Sequence, residues 1–205
     1  MKTKNTPTPA VFLDRDGTVC EEVGYLSDIK NLHLIPTAAK AIGIINQAGW
    51  KTIIVSNQSG IARGYMTAAE VDQVNHKLLH LLQQEDVRID GVYYCPHHPQ
   101  GLPPFNISCH CRKPAAGMLQ QAAREHHLAL DRSIIIGDKV TDVETGQQLS
   151  IPGILVRTGF GEGEINKYRQ QWQQAPDYIA SDILDAVHWW FNGSLQKRDS
   201  NEGKK

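Results

Sequence analysis

The chain has 205 residues, 40% hydrophobic and 21% charged, an ordinary globular composition that excludes general disorder. Lys plus Arg (21) against Asp plus Glu (22) leaves a formal net charge of −1, too balanced for a nucleic-acid or membrane-surface partner held by bulk electrostatics. No apolar run approaches the roughly 18 residues of a membrane helix, and the opening MKTKNTPTPA lacks the apolar stretch of a secretory signal.

Ala10 to Leu13 (AVFL) predicts a short strand buried on both faces. Pro36 opens a helix carrying Ala38, Ala41, Ile42 and Ile45 at three- and four-residue spacing, closed by Gly49. Thr52 to Val55 is a second strand, and Thr67 with Glu70 forms a capping box before Val71, Val74, Leu78 and Leu81. Gly91 to Cys95 is a third strand, Ile134 to Ile136 a fourth and Ile154 to Val156 a fifth. One helix with Leu119, Ala122 and Ala123 precedes the fourth strand, and another over 141–149 follows it. Ser181 is expected to cap a last helix with Ile183, Leu184, Val187 and Trp190. The alternation predicts an α/β fold: a doubly wound, mostly parallel sheet with helices on both faces. A single domain over 10–192 is expected, with polar disordered tails at 1–9 and 193–205. The chain is expected to be cytoplasmic, where its four cysteines would stay reduced.

Ligands of such sheets bind at the carboxyl ends of the strands. After the first strand come Asp14, Arg15, Asp16, Gly17 and Thr18, two carboxylates followed by a turn that offers N–H groups to an anion. After the second come Ser56, Asn57, Gln58, Ser59 and Gly60, and after the fourth Gly137, Asp138, Lys139 and then Asp142. Acids gathered at one edge repel one another unless a cation is present; hard oxygen ligands suit Mg²⁺, and Mg²⁺ with a lysine suits a phosphoryl group. Each piece alone is commonplace turn or cap chemistry. Their coincidence at strand ends is what points to a site.

These pieces, DRDGT (14–18), SNQSG (56–60), RKP (112–114) and GDKVTD (137–142), resemble the haloacid dehalogenase superfamily of phosphatases. The resemblance implies that Asp14 is the nucleophile, forming an aspartyl-phosphate, and that Asp16 protonates the leaving alkoxide and then deprotonates water. It implies Mg²⁺ held by Asp14, the main-chain carbonyl of Asp16 and Asp138, with Ser56 and Lys113 stabilising the transferring phosphoryl oxygens. Lys139 would add positive charge near Asp138, and Asp142 would support from behind.

Between the third strand and Arg112 lie Cys95, His97, His98, Cys109, His110 and Cys111. Three thiolates and one imidazole suffice for a closed tetrahedral zinc site, although the one-residue gaps are tighter than a zinc finger's. The ligand logic leaves His97, His98 and His110 in competition. The resemblance favours His97, because zinc-bearing members of the superfamily share a CPH…C-x-C-RKP pattern. Zinc would then be structural, stapling the loop 95–111 that delivers Arg112 and Lys113.

The intervals from Asp14 to Ser56 (42 residues) and from Ser56 to Lys113 (57 residues) leave no room for a separate cap domain, so loops must set specificity. Among zinc-loop families, NQSGIARG (57–64) and YYCPHHPQG (93–101) look like the D-glycero-D-manno-heptose 1,7-bisphosphate 7-phosphatases of nucleotide-heptose and lipopolysaccharide-core synthesis rather than the histidinol-phosphate phosphatases. Arg63 and Arg112 would suit a second phosphate. The segment Glu22, Val23, Gly24 and Tyr25, together with Asn57, Gln58 and Ser59, is expected to border the substrate. This segment departs from the heptose pattern, as does Cys20, which stands where asparagine is common and reads as a packing residue. A phospho-accepting receiver module would carry its aspartate on a middle strand and no zinc loop. A DNA 3′-phosphatase or zinc nucleic-acid module lacks its basic and aromatic surface. A monomer acting on a small phosphorylated sugar is expected.

Overall fold

A computed structural model describes residues 6–202, with side chains described through Gly193. Six strands form one sheet: β1 (Ala10–Leu13), β2 (Lys51–Asn57), β3 (Gly91–Cys95), β4 (Ile134–Gly137), β5 (Gly153–Val156) and β6 (Tyr178–Ala180). Their order is β3-β2-β1-β4-β5-β6, and every neighbouring pair is parallel. The sheet is thus wholly rather than mostly parallel. β1 pairs with β2 through Leu13 opposite Ile54 and with β4 through Leu13 opposite Ile136, so the direction of winding reverses at β1 and β4. That reversal is where a crevice opens beyond the strand ends.

The unbroken apolar runs follow from burial on both faces. Side chains alternate along a strand, so Val11, Leu13, Ile54, Ile134 and Ile136 enter one core while Ala10, Phe12, Ile53, Val55 and Ile135 enter the other. The first core is covered by α1 (Ala38–Gln47), α3 (Ala68–Gln84) and α7 (Ile183–Glu202). The second is covered by α4 (Gly117–His126) through Met118, Leu119 and Ala122. α5 (Val140–Gln147) follows β4, its Gly146 set closely against the Ile135 side chain.

The expected capping box is present: the Thr67 hydroxyl accepts from the Glu70 N–H, and the Glu70 carboxylate accepts from the Thr67 N–H. The last helix is capped differently from the expectation. Asp182, not Ser181, accepts from the Asp185 N–H, while the Asp185 carboxylate reaches back to the Ser181 N–H. The carboxylate one residue nearer the helix takes the N-cap role, and Asp185 reaches back to the residue before the cap rather than to the cap's own N–H. Strand β6 and two helices, α2 (Ser59–Ala62) and α6 (Gly161–Tyr168), were absent from the sequence reading.

The stretch read as an N-terminal tail is tied down over residues 7–9. Thr8 exchanges backbone hydrogen bonds with His127 and Ala129, and Pro9 O accepts from Lys51 N; residues 1–5 lie outside the described residues. At the other end α7 continues through Glu202 across the stretch read as a tail, and residues 203–205 lie outside the described residues. No helix among the described residues is long and apolar enough to cross a membrane.

Candidate active site

The tips of β1, β2 and β4 and the loop ahead of α4 converge on one cleft of about 290 Å³. Asp14 and Asp16 enter it from β1, Ser56 and Gln58 from β2, Lys139 and Asp142 from beyond β4, and Lys113 from the long loop. The backbone turns out of β1 at Gly17, which has φ +81°, and its N–H donates to Cys20 O at 2.7 Å. Residues 14–37 then return to α1 through backbone bonds such as Ile35 N to Val19 O and Glu21 N to His33 O. This is a folded loop with one 3₁₀ turn (Ile29–Asn31), not a cap domain.

Lys113 is the hub of the site. Its ammonium is almost fully buried, and its donors meet Asp14 Oδ1 at 2.8 Å, Asp142 Oδ1 at 2.5 Å and Val55 O at 2.8 Å. Burial works against that charge, but the Asp14 and Asp142 carboxylates outweigh it and raise the pKa. The Lys113 backbone is clamped by Asn57, whose side-chain amide donates to Lys113 O and accepts from Lys113 N, both at 3.0 Å. Asn57 therefore borders the cleft with its amide already committed to holding the lysine.

Asp138 is fully buried. Its Oδ2 accepts from Phe160 N at 2.8 Å and lies where a Cβ on Gly17 or Gly159 would stand, at 2.1 and 2.2 Å. Its Oδ1 has no hydrogen-bond partner. Burial, then the charge of Asp14, pushes its pKa up to about 8; burial pushes Asp142 up to about 6, with Lys113 pulling against it. One oxygen from each of Asp14, Asp138 and Asp142 lies within 4.8 Å of the others. An orphaned, buried carboxylate oxygen facing two more acids is the donor set a hard divalent cation fits. Asp142 is closer to the chemistry than the sequence reading had it, since it pairs with Lys113 directly.

Ser56 Oγ accepts from Gln58 Nε2 at 2.7 Å, which leaves its own proton free to donate toward the cleft. The same Gln58 amide nitrogen lies 2.8 Å from Asp16 Oδ2. Arg15, with 1% exposure, grips both Asp16 oxygens through Nε and Nη2 at 2.9–3.2 Å. Glu22, Gly24, Tyr25 and Ser59 line the cleft as expected, and Lys139 does so with its ammonium 4.2 Å from the Phe160 ring centroid and 3.7 Å from Glu22. Val23, Arg63 and Arg112 do not line it. Val23 is exposed, Arg63 Nη2 lies 3.1 Å from His98 Nε2, and Arg112 donates to His97 O. Thr141 and Phe160 also line it; Thr141 lies within GDKVTD without being singled out there, and no motif marks Phe160.

In the loop 95–111 the ligand atoms of Cys95, His97, Cys109 and Cys111 gather within 4.8 Å of one another. The three sulfurs approach to 2.8–3.5 Å while all three cysteines remain free thiols, and His97 Nδ1 lies 3.3 Å from Cys111 Sγ. Three sulfurs and one nitrogen converging without a disulfide fit a closed tetrahedral zinc site. Of the competing histidines, His98 turns to Arg63 and Gln100 N. The ring of His110 is outside the cluster, while its carbonyl accepts from Gly117 N at the start of α4. Cys111 stands two residues before Lys113, so this cluster anchors the end of the loop that carries the cation into the cleft.

Comparison with known proteins agrees with this geometry. A family model described as "HAD-hyrolase-like" matches residues 110–186. The D-glycero-D-manno-heptose-1,7-bisphosphate 7-phosphatase of Thermosynechococcus vestitus is 43% identical over 188 residues, covering 89% of this chain and 95% of that protein. The D-glycero-beta-D-manno-heptose-1,7-bisphosphate 7-phosphatase of Haemophilus influenzae is 39% identical, covering 86% and 93%. Among solved structures, the D,D-heptose 1,7-bisphosphate phosphatase of B. bronchiseptica, complexed with magnesium and phosphate, superimposes with a TM-score of 0.80 at 26% identity, covering 91% of this chain and 99% of that one. The chain belongs to the heptose-1,7-bisphosphate 7-phosphatase family of haloacid dehalogenase-like phosphatases.

Proposed function

We propose that this member of the family removes the 7-phosphate of D-glycero-D-manno-heptose 1,7-bisphosphate through an aspartyl-phosphate on Asp14, within nucleotide-heptose synthesis for the lipopolysaccharide core. The observation that carries the reading is the pairing at the tip of β1: Asp14 held by the Lys113 ammonium at 2.8 Å, and Asp16 facing the same cleft.

An Asp14 carboxylate oxygen attacks phosphorus and the bond from phosphorus to the sugar oxygen breaks. The departing alkoxide takes the proton of Asp16. Ser56 donates its hydroxyl proton to a phosphoryl oxygen, and Lys113 keeps positive charge beside the attacking carboxylate. Water then attacks phosphorus, Asp16 takes its proton, and the Asp14 carboxylate is released with inorganic phosphate. Mg²⁺, with Asp14, the Asp16 carbonyl and Asp138 as its ligands, supplies when bound the charge that offsets repulsion between carboxylate and phosphate. Cys95, His97, Cys109 and Cys111 would hold zinc through four protein ligands, leaving it a structural role. The open, loop-lined cleft suits a bisphosphorylated sugar, with Arg63 and Arg112 outside it on the zinc-loop side for the second phosphate. We place the enzyme in the cytoplasm, acting as a monomer.

The test is kcat/KM on both heptose 1,7-bisphosphate anomers, fructose 1,6-bisphosphate and histidinol phosphate, together with a radiolabelled-phosphate trap. A heptose bisphosphate is expected to lead, with label on Asp14. Preference for histidinol phosphate would reassign the substrate, and label on another side chain would reject the mechanism.

A further inference from the structure

Helix α3 presents its apolar face to the sheet through Val74, Leu78 and Leu82, yet the same buried set contains Asn75. A polar amide at a core position of a mid-helix turn is costly unless its hydrogen bonds are met. Asn75 Oδ1 accepts from Arg15 Nη1 at 2.9 Å across 60 residues of sequence. Arg15 is itself buried, and the rest of its guanidinium forks onto both oxygens of Asp16, whose side chain retains 15% exposure toward the cleft.

We propose that Asn75 is a positioning residue for proton transfer at the cleft: acting through Arg15, it fixes the plane and the facing of the Asp16 carboxyl. The inference rests on the reading of Asp16 as proton donor to the leaving group. A bidentate guanidinium sets a carboxyl plane where a single contact would leave it free to rotate. Arginine has only donors, and the amide nitrogen of Gln58 also points a donor at Asp16. Apart from the Cys20 thiol, 3.7 Å from Asp16 Oδ1, only donors hold the carboxyl from behind, so a proton on Asp16 is directed toward the cleft. The Asn75 amide orients the fork; without it one buried Nη1–H has no partner and the guanidinium is free to swing.

The experiment compares two substrates in the Mg²⁺-loaded enzyme. The heptose bisphosphate expels an alkoxide that must be protonated, whereas p-nitrophenyl phosphate expels a phenolate that leaves without a proton. For both, kcat/KM reports only the steps through loss of the leaving group. General acid catalysis is worth about 10²–10⁴-fold, so a carboxyl mis-set by Asn75→Leu is expected to lose about tenfold more on the sugar phosphate than on the aryl phosphate. Arg15→Lys, which keeps the charge without the fork, is expected to show the same selective loss. Asn75→Asp, which keeps an acceptor in place, is expected to retain the parental ratio. Equal losses on both substrates in Asn75→Leu and Arg15→Lys, or an unchanged ratio, overturn the proposal. Asp16→Asn separates the two failures: a selective loss there alone rejects only the Asn75–Arg15 link, and an equal loss there rejects the donor reading beneath it.

Discussion

Replacing Lys113 by Met removes one charge from a cluster whose side chains are almost wholly buried. The lysine side chain is 2% exposed, that of Asp142 1% and that of Asp14 7%. Met fills most of the aliphatic volume, so the packing loss is small, but Asp142 keeps only the Lys139 N–H at 3.1 Å on its Oδ2. Removing one partner of a buried ion pair costs about 3–5 kcal/mol, because the remaining charge is stranded. At about 2–4 °C per kcal/mol for a chain of this size, the metal-free protein should lose roughly 6–20 °C in Tm. The assay is thermal and urea unfolding followed by circular dichroism in chelating buffer, with m compared to check that the same surface is exposed. Adding Asp142→Asn should return part of the loss, with a coupling of about 0.5–3 kcal/mol, while turnover stays low in both variants. A Tm within roughly 2 °C of the parent would refute the claim that Lys113 is what keeps these acids together.

Three further outcomes follow from the same geometry. In the metal-free protein, Asp138 and Asp142 hold protons up to about pH 8 and about pH 6 that the unfolded chain, near 3.8, has already released. Stability should therefore fall as pH rises from about 4 to 8, and saturating Mg²⁺ should flatten the slope; a Tm that climbs over that window contradicts the assignment. Purified protein should contain about one zinc per chain, and stripping it should lower both Tm and kcat; a zinc-free protein with unchanged Tm would remove the structural site. Gly17→Ala forces a Cβ at φ +81° to within 2.1 Å of Asp138 Oδ2, costing about 1–3 kcal/mol in backbone strain and moving the acid. Magnesium-dependent turnover should collapse, and near-parental activity would show that Asp138 is not fixed by that contact.

The chemistry was legible where it followed a strand buried on both faces. AVFL, TIIV and III read as apolar runs, and Asp14, Ser56 and Asp138 stand at their ends or one to two residues beyond. The Cys/His cluster was legible because thiols and imidazoles crowd a loop too short to have a core. β6 was not, since its three residues are mostly half-buried at the sheet edge and follow Pro176 and Asp177. Roles that depend on what a side chain touches were also hidden. Asn57 reads as a residue bordering the substrate, with no signal of its clamp on the Lys113 backbone, and nothing in the sequence marks the contacts of Arg63 with His98 and of Arg112 with His97 O. Asn75 carries no local signal, because its partner lies 60 residues away.

Strand β1 sits at the centre of the sheet, between a neighbour about 40 residues downstream and another more than 120 away. During synthesis Asp14 therefore emerges long before the last of the acids that crowd it, and their mutual repulsion enters only when the second half of the chain docks. Until then one side of β1 is an open, apolar edge, the kind that recruits stray strands from other chains. The bond from Ala10 N to Ser133 Oγ, which spans 123 residues, closes that edge and completes the acid-lined cleft in the same event. Truncation or stalling anywhere before β4 should thus yield an aggregation-prone half-sheet rather than a weakly active enzyme.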